Sequence, residues 1–289
     1  MIDAKSVAEL RSKTGAGMMD CKKALTESNG DLEKAIDYLR EKGIAKAAKK
    51  ESRIAAEGLA NIFTSDNKAV ILEVNSETDF VSKNAEFTDM IKEIGEAVLK
   101  SDAKTLEEVL LLPSSEGTIA DLIVAKTSKI GEKLSLRRLE VVEKTDTQNF
   151  GAYLHMGGKI AVLTLLEGAN SDVAKDVAMQ AAAMRPEYLK EEDIDAERIE
   201  IERKVFTEQA INEGKPADIA AKMVEGRLKK FFKEICLLDE PFIKDGDIDV
   251  KTYVKNNGGE VLKMVRYEVG EGMEHRSDNF AEEVMNQIK

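Results

Sequence analysis

The side chains that most often perform acid–base, nucleophilic or metal chemistry are scarce in this sequence. Its 289 residues include 2 histidines, His155 and His275, so a zinc site built from three histidines is impossible. A histidine-dependent nucleophilic triad would have to use one of these two, and neither stands in a supporting motif. The adjacent carboxylates of Glu191, Glu192 and Asp193 lie in a charged stretch, where a solvated helix face is the plainer interpretation.

We therefore predict that the protein is not an enzyme. An unrecognised hydrolase stays as an alternative, because catalytic carboxylates converge in space without local spacing.

The glycine motifs that cradle phosphates are incomplete. Lys159 follows Gly158, but Ile160 stands where a phosphate-binding loop needs Ser or Thr, and Tyr153 stands where it needs its first glycine. The segment 270–272, Gly-Glu-Gly, also lacks a full dinucleotide pattern. No cofactor and no metal ion is therefore expected.

The composition restricts the partners. Lys and Arg number 43 against 55 Asp and Glu, and the resulting net charge of −12 repels nucleic acid and anionic lipid. The basic run between Lys46 and Arg53 is interleaved with alanine and is interpreted as a solvated helix face. No stretch reaches the about 18 apolar residues of a membrane span, and the amino terminus carries no apolar signal core. Cys21 and Cys236 are too few for a disulfide framework. We expect a cytoplasmic protein that binds neither nucleic acid nor membrane.

Three short helical patterns begin the chain. The first stops at Gly15 and the second at Gly30, where a glycine suits the left-handed conformation that ends helices. Asp31 can cap the third helix, whose pattern ends at Gly43. Residues 1–54 are therefore predicted to form a three-helix bundle followed by a lysine-rich helical tether. Such a unit is typical of docking modules.

In residues 55–145 the spacing of the apolar residues changes to the alternation that is typical of strands. The alternating segments 59–63 and 70–74 are separated by a polar turn and predict a β-hairpin. Helical spacing then returns, and a last strand pattern closes the segment. The predicted helices and closing strand occupy residues 87–98, 118–130 and 134–143.

The same order of elements recurs further along the chain. Residues 153–156 and 159–163 predict a second hairpin, and the closing strands align without gaps, so that Arg138 corresponds to Arg266. We predict two related core subdomains, the second made of residues 146–188 and 237–274.

An insertion at residues 189–236 interrupts the second subdomain. Its first helix, predicted at residues 193–213, is charged and has Ile194, Ile201 and Val205 as apolar residues. The short turn 214–216 forces the next helix antiparallel. Residues 275–289 place an apolar stripe on a last helix, which either enters a partner's groove or folds back. The predicted fold class is α+β, with a small bundle, two duplicated hairpin-helix-strand subdomains, an inserted helical hairpin and a C-terminal helix.

Two segments carry a specific resemblance. Residues 10–25, LRSKTGAGMMDCKKAL, and residues 73–83, EVNSETDFVSK, resemble the signatures of the bacterial elongation factor Ts family. The order of predicted modules is also similar from end to end. One small departure is Ala161, where the family more often has glycine, and it leaves the strand pattern intact.

The resemblance implies a guanine nucleotide exchange factor that binds elongation factor Tu and promotes GDP release. The first bundle would then resemble ubiquitin-associated domains and dock on the GTPase domain of elongation factor Tu. The loop after the second strand would insert near the nucleotide and magnesium site, the helical hairpin would dimerise or contact the partner, and the C-terminal helix would also grip the GTPase domain. The residues implied to bind elongation factor Tu are Arg11, Met18, Met19, Thr78, Asp79, Phe80, Val81, Ile130, Gly131 and His155.

Simpler interpretations of these residues stay open at this point. Judged by residue type alone, one of Met18 and Met19 packs inside the bundle, and Phe80 covers its own core after the strand. His155 is equally an ordinary residue at a strand end. At the level of function, the alternative to exchange is a general adaptor or holdase that binds partners without exchange activity.

Overall fold

The computed structural model describes residues 2–214 and 216–274, which form an α+β protein and so confirm the predicted class. The predicted helix at residues 275–289 lies outside the described residues. The described chain divides into two compact units. The first unit comprises residues 2–63, 72–141 and 267–274, and the second comprises Thr64–Ile71 and Val142–Arg266.

Three helices begin the first unit: α1 (Ala4–Thr14), α2 (Met18–Glu27) and α3 (Leu32–Ala48). As predicted, Gly15 ends α1 with a φ of 64°, and the Asp31 carboxylate caps α3 by accepting the N–H of Lys34 at 3.1 Å. The predicted end of α3 at Gly43 is wrong. Gly43 lies inside the helix and is buried against Ser128, and packing on the helix that carries Ser128 keeps it helical.

The first sheet contains β1 (Glu57–Thr64), β2 (Lys68–Ser76) and β5 (Ser135–Glu143) in the order β1-β2-β5. Between β2 and β5 lie α4 (Ala85–Leu99), α5 (Leu106–Leu110) and α6 (Ile119–Ile130), together with the two short strands β3 (Pro113–Ser114) and β4 (Gly117–Thr118). The predicted hairpin, both long helices and the closing strand are confirmed. Helix α4 buries the side chains that its apolar period predicted: Phe87, Met90, Ile91, Ile94 and Val98.

The second sheet has the order β10-β7-β6 and consists of β6 (Gln148–His155), β7 (Ile160–Glu167) and β10 (Glu260–Glu268). Strands β6 and β7 form an antiparallel hairpin in which His155 pairs with Ile160. Helix α7 (Ser171–Met184) packs on this sheet, and Gly151 permits the approach, because a Cβ there would lie 2.0 Å from the carbonyl oxygen of Ala174. Each sheet thus has a hairpin whose second strand is flanked by a strand from further along the chain.

The remaining elements of the second unit are α8 (Ala196–Asn212), α9 (Ala217–Ile235), β8 (Pro241–Phe242), β9 (Asp245–Asp249) and α10 (Val250–Asn256). Helices α8 and α9 pack on each other through Ala210, Ala220, Val224 and Leu228, with Phe206 beside them. Of the three apolar residues named for the first helix of the insertion, Ile194 precedes α8 and is buried, whereas Ile201 and Val205 lie on α8 and are 49% and 41% exposed. Two paired helices bury one narrow seam each, and the seam of α8 falls on Phe206 and Ala210 instead.

Among the described residues, no helix has the length and apolar character that crossing a membrane requires.

A candidate partner-binding site

The loop after β2 turns one apolar residue inward and the next outward. Val81 is 5% exposed, whereas the neighbouring Phe80 is 81% exposed. The carbonyl of Asp79 accepts both the N–H of Ser82, at 3.2 Å, and its hydroxyl, at 2.6 Å. These bonds start a short 3-10 turn over Val81–Lys83, and Asn84 then caps α4. The expectation from residue type alone, that Phe80 covers its own core, is wrong.

The same loop is joined to the turn that follows α6. Glu132 accepts the backbone N–H of Thr78 at 2.9 Å and its hydroxyl at 2.7 Å. Gly131 ends α6 in a left-handed conformation with a φ of 91°, and a Cβ at that position would meet open space. Ile130 is half-buried and Gly131 is exposed. The structure therefore brings the segments of the predicted site residues 78–81 and 130–131 together.

The predicted bundle residues line a shallow groove on the first unit. Arg11, Met18 and Met19 form its wall together with Ile2 and Val7, among others. Met18 is 60% exposed and Met19 is 73% exposed, so the alternative that one of them packs inside the bundle is wrong. The bundle core consists instead of Leu10, Cys21, Ala24, Leu25 and Ala35.

His155 lies at the tip of the β6–β7 hairpin in the second unit. Its Nδ1 atom is 3.4 Å from the Tyr153 hydroxyl, and the two rings stack with their centroids 6.0 Å apart. Leu154 and Met156 are 43% and 72% exposed on either side of it. Met156 has a φ of 49° and Gly157 one of 67°, so the tip is a tight left-handed turn that displays apolar side chains.

The sequence model of a family described as Elongation factor TS matches residues 77–271, about two thirds of the chain. The chain belongs to the elongation factor Ts family. Members of this family are nucleotide exchange factors for elongation factor Tu, and they act by binding this partner rather than by covalent chemistry.

The elongation factor Ts match covers some of the predicted site residues and leaves others outside. It begins at Glu77, at the start of the exposed loop, and includes residues 78–81, 130–131 and 155. Helices α1 to α3 lie before it, so the resemblance of residues 10–25 is independent of the matched segment.

The first unit also holds a buried ion cluster that the sequence did not reveal. The side chain of Glu73 is fully buried and accepts hydrogen bonds from Arg137 at 3.0 Å, Arg138 at 2.6 Å and the N–H of Gly270 at 2.9 Å. Arg138 also stacks over the ring of Tyr267 at 4.2 Å. The cluster ties residues 267–270 to β2 and β5, and its members are spread over nearly 200 residues, which no local motif can indicate.

A second buried carboxyl lies in the second unit. Glu240 is 1% exposed, and one of its oxygens accepts the Nε2–H of Gln180 at 2.9 Å. Burial raises the pKa of the Glu240 carboxyl to about 7. A shifted carboxyl can indicate an acid–base site, but this one is enclosed and out of reach of a substrate. Among residues 2–214 and 216–274, no three His, Cys, Asp or Glu side chains are grouped to hold a metal ion.

Proposed function

We propose that this chain promotes GDP release from elongation factor Tu by inserting its Thr78-Asp79-Phe80 loop near the nucleotide and magnesium site of the GTPase domain. The observation that carries the proposal is the display of Phe80, with 81% of a large apolar side chain in solvent on a loop that hydrogen bonds hold in place. Burying such a ring in a partner contributes about 1.5–3 kcal/mol. Family membership supports this assignment.

The loop offers two kinds of contact for this task. The ring of Phe80 displaces a neighbouring side chain of the partner, while the exposed carboxylate of Asp79 accepts hydrogen bonds that fix the angle of approach. The partner's magnesium ion and phosphate-binding loop shift in response, and GDP is bound more weakly. No proton transfer or covalent intermediate takes part.

Exchange of this kind is a coupling between two ligands of one GTPase. The factor and GDP each lower the affinity for the other by the same ratio, because both sides of the binding cycle must give the same free energy. A thousandfold faster release requires about 4 kcal/mol off the dissociation barrier. One phenylalanine supplies less than that, so other contacts must contribute.

We assign the other contacts to three surfaces. The groove of Arg11, Met18 and Met19 and the turn of Ile130 and Gly131 bind the GTPase domain in this proposal. The hairpin tip at His155 binds the third domain of elongation factor Tu, and its exposed apolar neighbours support that role.

The division of the chain into domains, and the role of each domain, are part of the same proposal. We infer that the bundle in residues 1–54 is similar to ubiquitin-associated domains, and that residues 55–145 and the pair 146–188 and 237–274 are duplicated core subdomains. The equivalent strand order of the two sheets supports the duplication. The helical hairpin at 189–236 serves dimerisation or contact with elongation factor Tu, and residues 275–289 form a further contact. In this proposal, GDP release from elongation factor Tu takes place in the cytoplasm during translation elongation.

The test is an exchange assay with a loop variant. The double substitution Asp79→Ala and Phe80→Ala should leave the fold intact, because both side chains are exposed, and should slow GDP release strongly. Stopped-flow fluorescence with mant-GDP bound to elongation factor Tu measures the rate, and circular dichroism checks the fold. A release rate equal to that of the unsubstituted chain would refute the inserted loop.

The same assay separates the proposal from an adaptor or holdase. Such a protein would bind nucleotide-free and GDP-bound elongation factor Tu equally well and leave the GDP release rate unchanged. An exchange factor binds the nucleotide-free form more tightly, as the coupling requires.

A further inference from the structure

Two glutamates cross-link the exposed loop to the turn after α6. Glu132, on the turn, accepts the N–H of Thr78 at 2.9 Å and its hydroxyl at 2.7 Å. In the opposite direction, Glu77 of the loop accepts the backbone N–H of Lys133 at 2.6 Å. Each segment thus supplies a carboxylate to the other, and hydrogen bonds to ionised acceptors are about twice as strong as neutral ones.

A third segment, the end of the tether after α3, joins the same junction. The guanidinium of Arg53 lies 3.2 Å and 3.4 Å from the two oxygens of Glu77, whose side chain is only 10% exposed. Lys133 donates through its Nζ to the carbonyls of Glu51, at 2.5 Å, and of Arg53, at 3.2 Å. Glu77 is largely buried and the Arg53 side chain is 50% exposed, so their ion pair is less weakened by water than one between two exposed side chains is.

The junction fixes every polar group of Thr78. Its N–H and hydroxyl bind Glu132, and its carbonyl accepts the hydroxyl of Ser76 at 2.9 Å. Phe80 follows two residues later and has few contacts of its own, since 81% of it is exposed. A loop released from this anchor would be driven by the hydrophobic effect to cover the ring against the protein's own surface.

We propose that Glu132 and Glu77 are positioning residues for nucleotide exchange, which hold Thr78 on the turn after α6 and so keep Phe80 presented for insertion. This inference rests on the proposed function. Neither glutamate touches the nucleotide in this mechanism. They act by raising the fraction of molecules whose loop is competent to insert.

The experiment measures mant-GDP release from elongation factor Tu over a range of concentrations of the full chain. Glu132→Ala removes both bonds to Thr78, and we expect the maximal release rate to fall about tenfold, given the strength of hydrogen bonds to charged groups. The half-saturating concentration should change less than the maximal rate, because the groove of Arg11, Met18 and Met19 and the hairpin tip at His155 are untouched. Glu132→Gln should retain most of the rate, since its amide can accept the N–H of Thr78 and donate to the hydroxyl.

Glu93→Ala is the matched control. Glu93 accepts the N–H of Ser115 at 2.6 Å and its hydroxyl at 3.0 Å, so the variant removes the same pair of bonds at another turn of the first unit. Its maximal release rate should equal that of the unsubstituted chain. Thr78→Val, which removes only the hydroxyl bond, should reduce the rate by about threefold and keeps the inference testable if Glu132→Ala folds poorly.

A double-mutant cycle with Phe80→Ala decides whether Glu132 acts through the loop. If it does, adding Glu132→Ala to the Phe80→Ala chain causes no further loss. An equal fold-loss in both backgrounds would overturn the inference. The proposed function fails on a different result, namely if the unsubstituted chain does not accelerate GDP release. If it does, and Glu132→Ala releases GDP equally fast, only the positioning role fails.

Discussion

At the scale of single residues, two buried glutamates have pKa values that are shifted in opposite directions. Burial acts to raise the pKa of the Glu73 carboxyl, but hydrogen bonds from Gly270, Asn75 and Arg137 and the charge of Arg138 outweigh it and hold that pKa below its usual range. Among the described residues, no cation lies beside the buried Glu240, and its carboxylate accepts a hydrogen bond from the amide of Gln180. The pKa of Glu240 therefore rises to about 7. Glu73 is an internal anion, and Glu240 is a proton-binding group.

Glu240 should make the stability of the second unit depend on pH. Its pKa lies above the usual 4.5, so between about pH 4.5 and 7 the folded chain binds more protons than the unfolded chain. The contribution of Glu240 to the free energy of unfolding is thus greatest at low pH and falls as the pH rises through this window, by at most about 3 kcal/mol. Glu240→Gln mimics the protonated acid and should be the more stable protein at pH 8, and the difference should shrink as the pH falls, to less than about 1 kcal/mol at pH 5.

Urea unfolding at pH 5, 6, 7 and 8 checks this prediction. Glu234→Gln is the control, because Glu234 is a carboxylate of α9 with 62% of its side chain exposed. Other titrating groups contribute equally to all three proteins and cancel in the differences. A Glu240→Gln chain whose stability follows that of the unsubstituted chain at every pH would refute a protonated Glu240.

The residues around the exposed loop show which contacts can be predicted from local sequence and which cannot. Asp79 and Phe80 were identified by a motif, and the inward position of Val81 follows from bonds between neighbours in the sequence. Glu77 and Glu132 were missed because their partners are 56 and 54 residues away along the chain, and no periodicity encodes such a pairing. Contacts between distant segments arise only once the sheet and α6 have formed.

At the scale of elements, helical and strand periods predicted the long elements of both units, but they did not predict the end of α3 or the buried side of α8. The pattern ended α3 at Gly43 because a glycine commonly stops a helix, whereas tertiary packing on Ser128 keeps that glycine helical. On α8, the visible apolar pair of Ile201 and Val205 is the exposed one. Short elements such as α5, β3 and β8 were not predicted, because two to five residues are too few for a period to appear.

Two helical glycines in the first unit should respond to alanine in opposite directions. A Cβ at Gly43 of α3 would meet Ser128 at 3.4 Å, an ordinary contact, so Gly43→Ala should raise stability by up to about 1 kcal/mol through the lower entropy of the unfolded chain. A Cβ at Gly95 of α4 would lie 2.2 Å from the ring of Phe63, so Gly95→Ala should lower stability by about 1–3 kcal/mol.

Thermal and urea unfolding of the two variants test this pair. Each is the control for the other, since the substitution and the helical setting are the same. Gly95→Ala combined with Phe63→Leu should regain part of the loss, because the smaller side chain makes room for the new methyl group. Equal effects of the two alanines would show that helix propensity, not the close approach to Phe63, governs both sites.

At the scale of the whole molecule, an exchange factor must divide its contacts into those that hold the partner and those that act on its nucleotide. Contacts made equally with the GDP-bound and the nucleotide-free partner change the concentration at which the factor works, and contacts made only as GDP leaves change the maximal rate. We expect the groove of Arg11, Met18 and Met19 to set the concentration at which the factor works, and Phe80 to set the maximal rate. The exposed methionines of this groove can supply the holding energy, because burying apolar side chains in an interface is favourable whatever the charge of the partner.

A chain with Met18→Ala and Met19→Ala should therefore reach the unsubstituted maximal rate of GDP release, but at a concentration at least about tenfold higher, as expected when central apolar contacts of an interface are truncated. Both side chains are exposed, so the bundle should keep its helical circular dichroism. The double substitution of Asp79 and Phe80 should give the opposite result, a low maximal rate with a smaller change in the half-saturating concentration. Titration of each variant against mant-GDP-loaded elongation factor Tu measures both quantities at once. A fall in maximal rate for the methionine variant would mean that the bundle takes part in dislodging GDP, and the division between holding and acting surfaces would have to be abandoned.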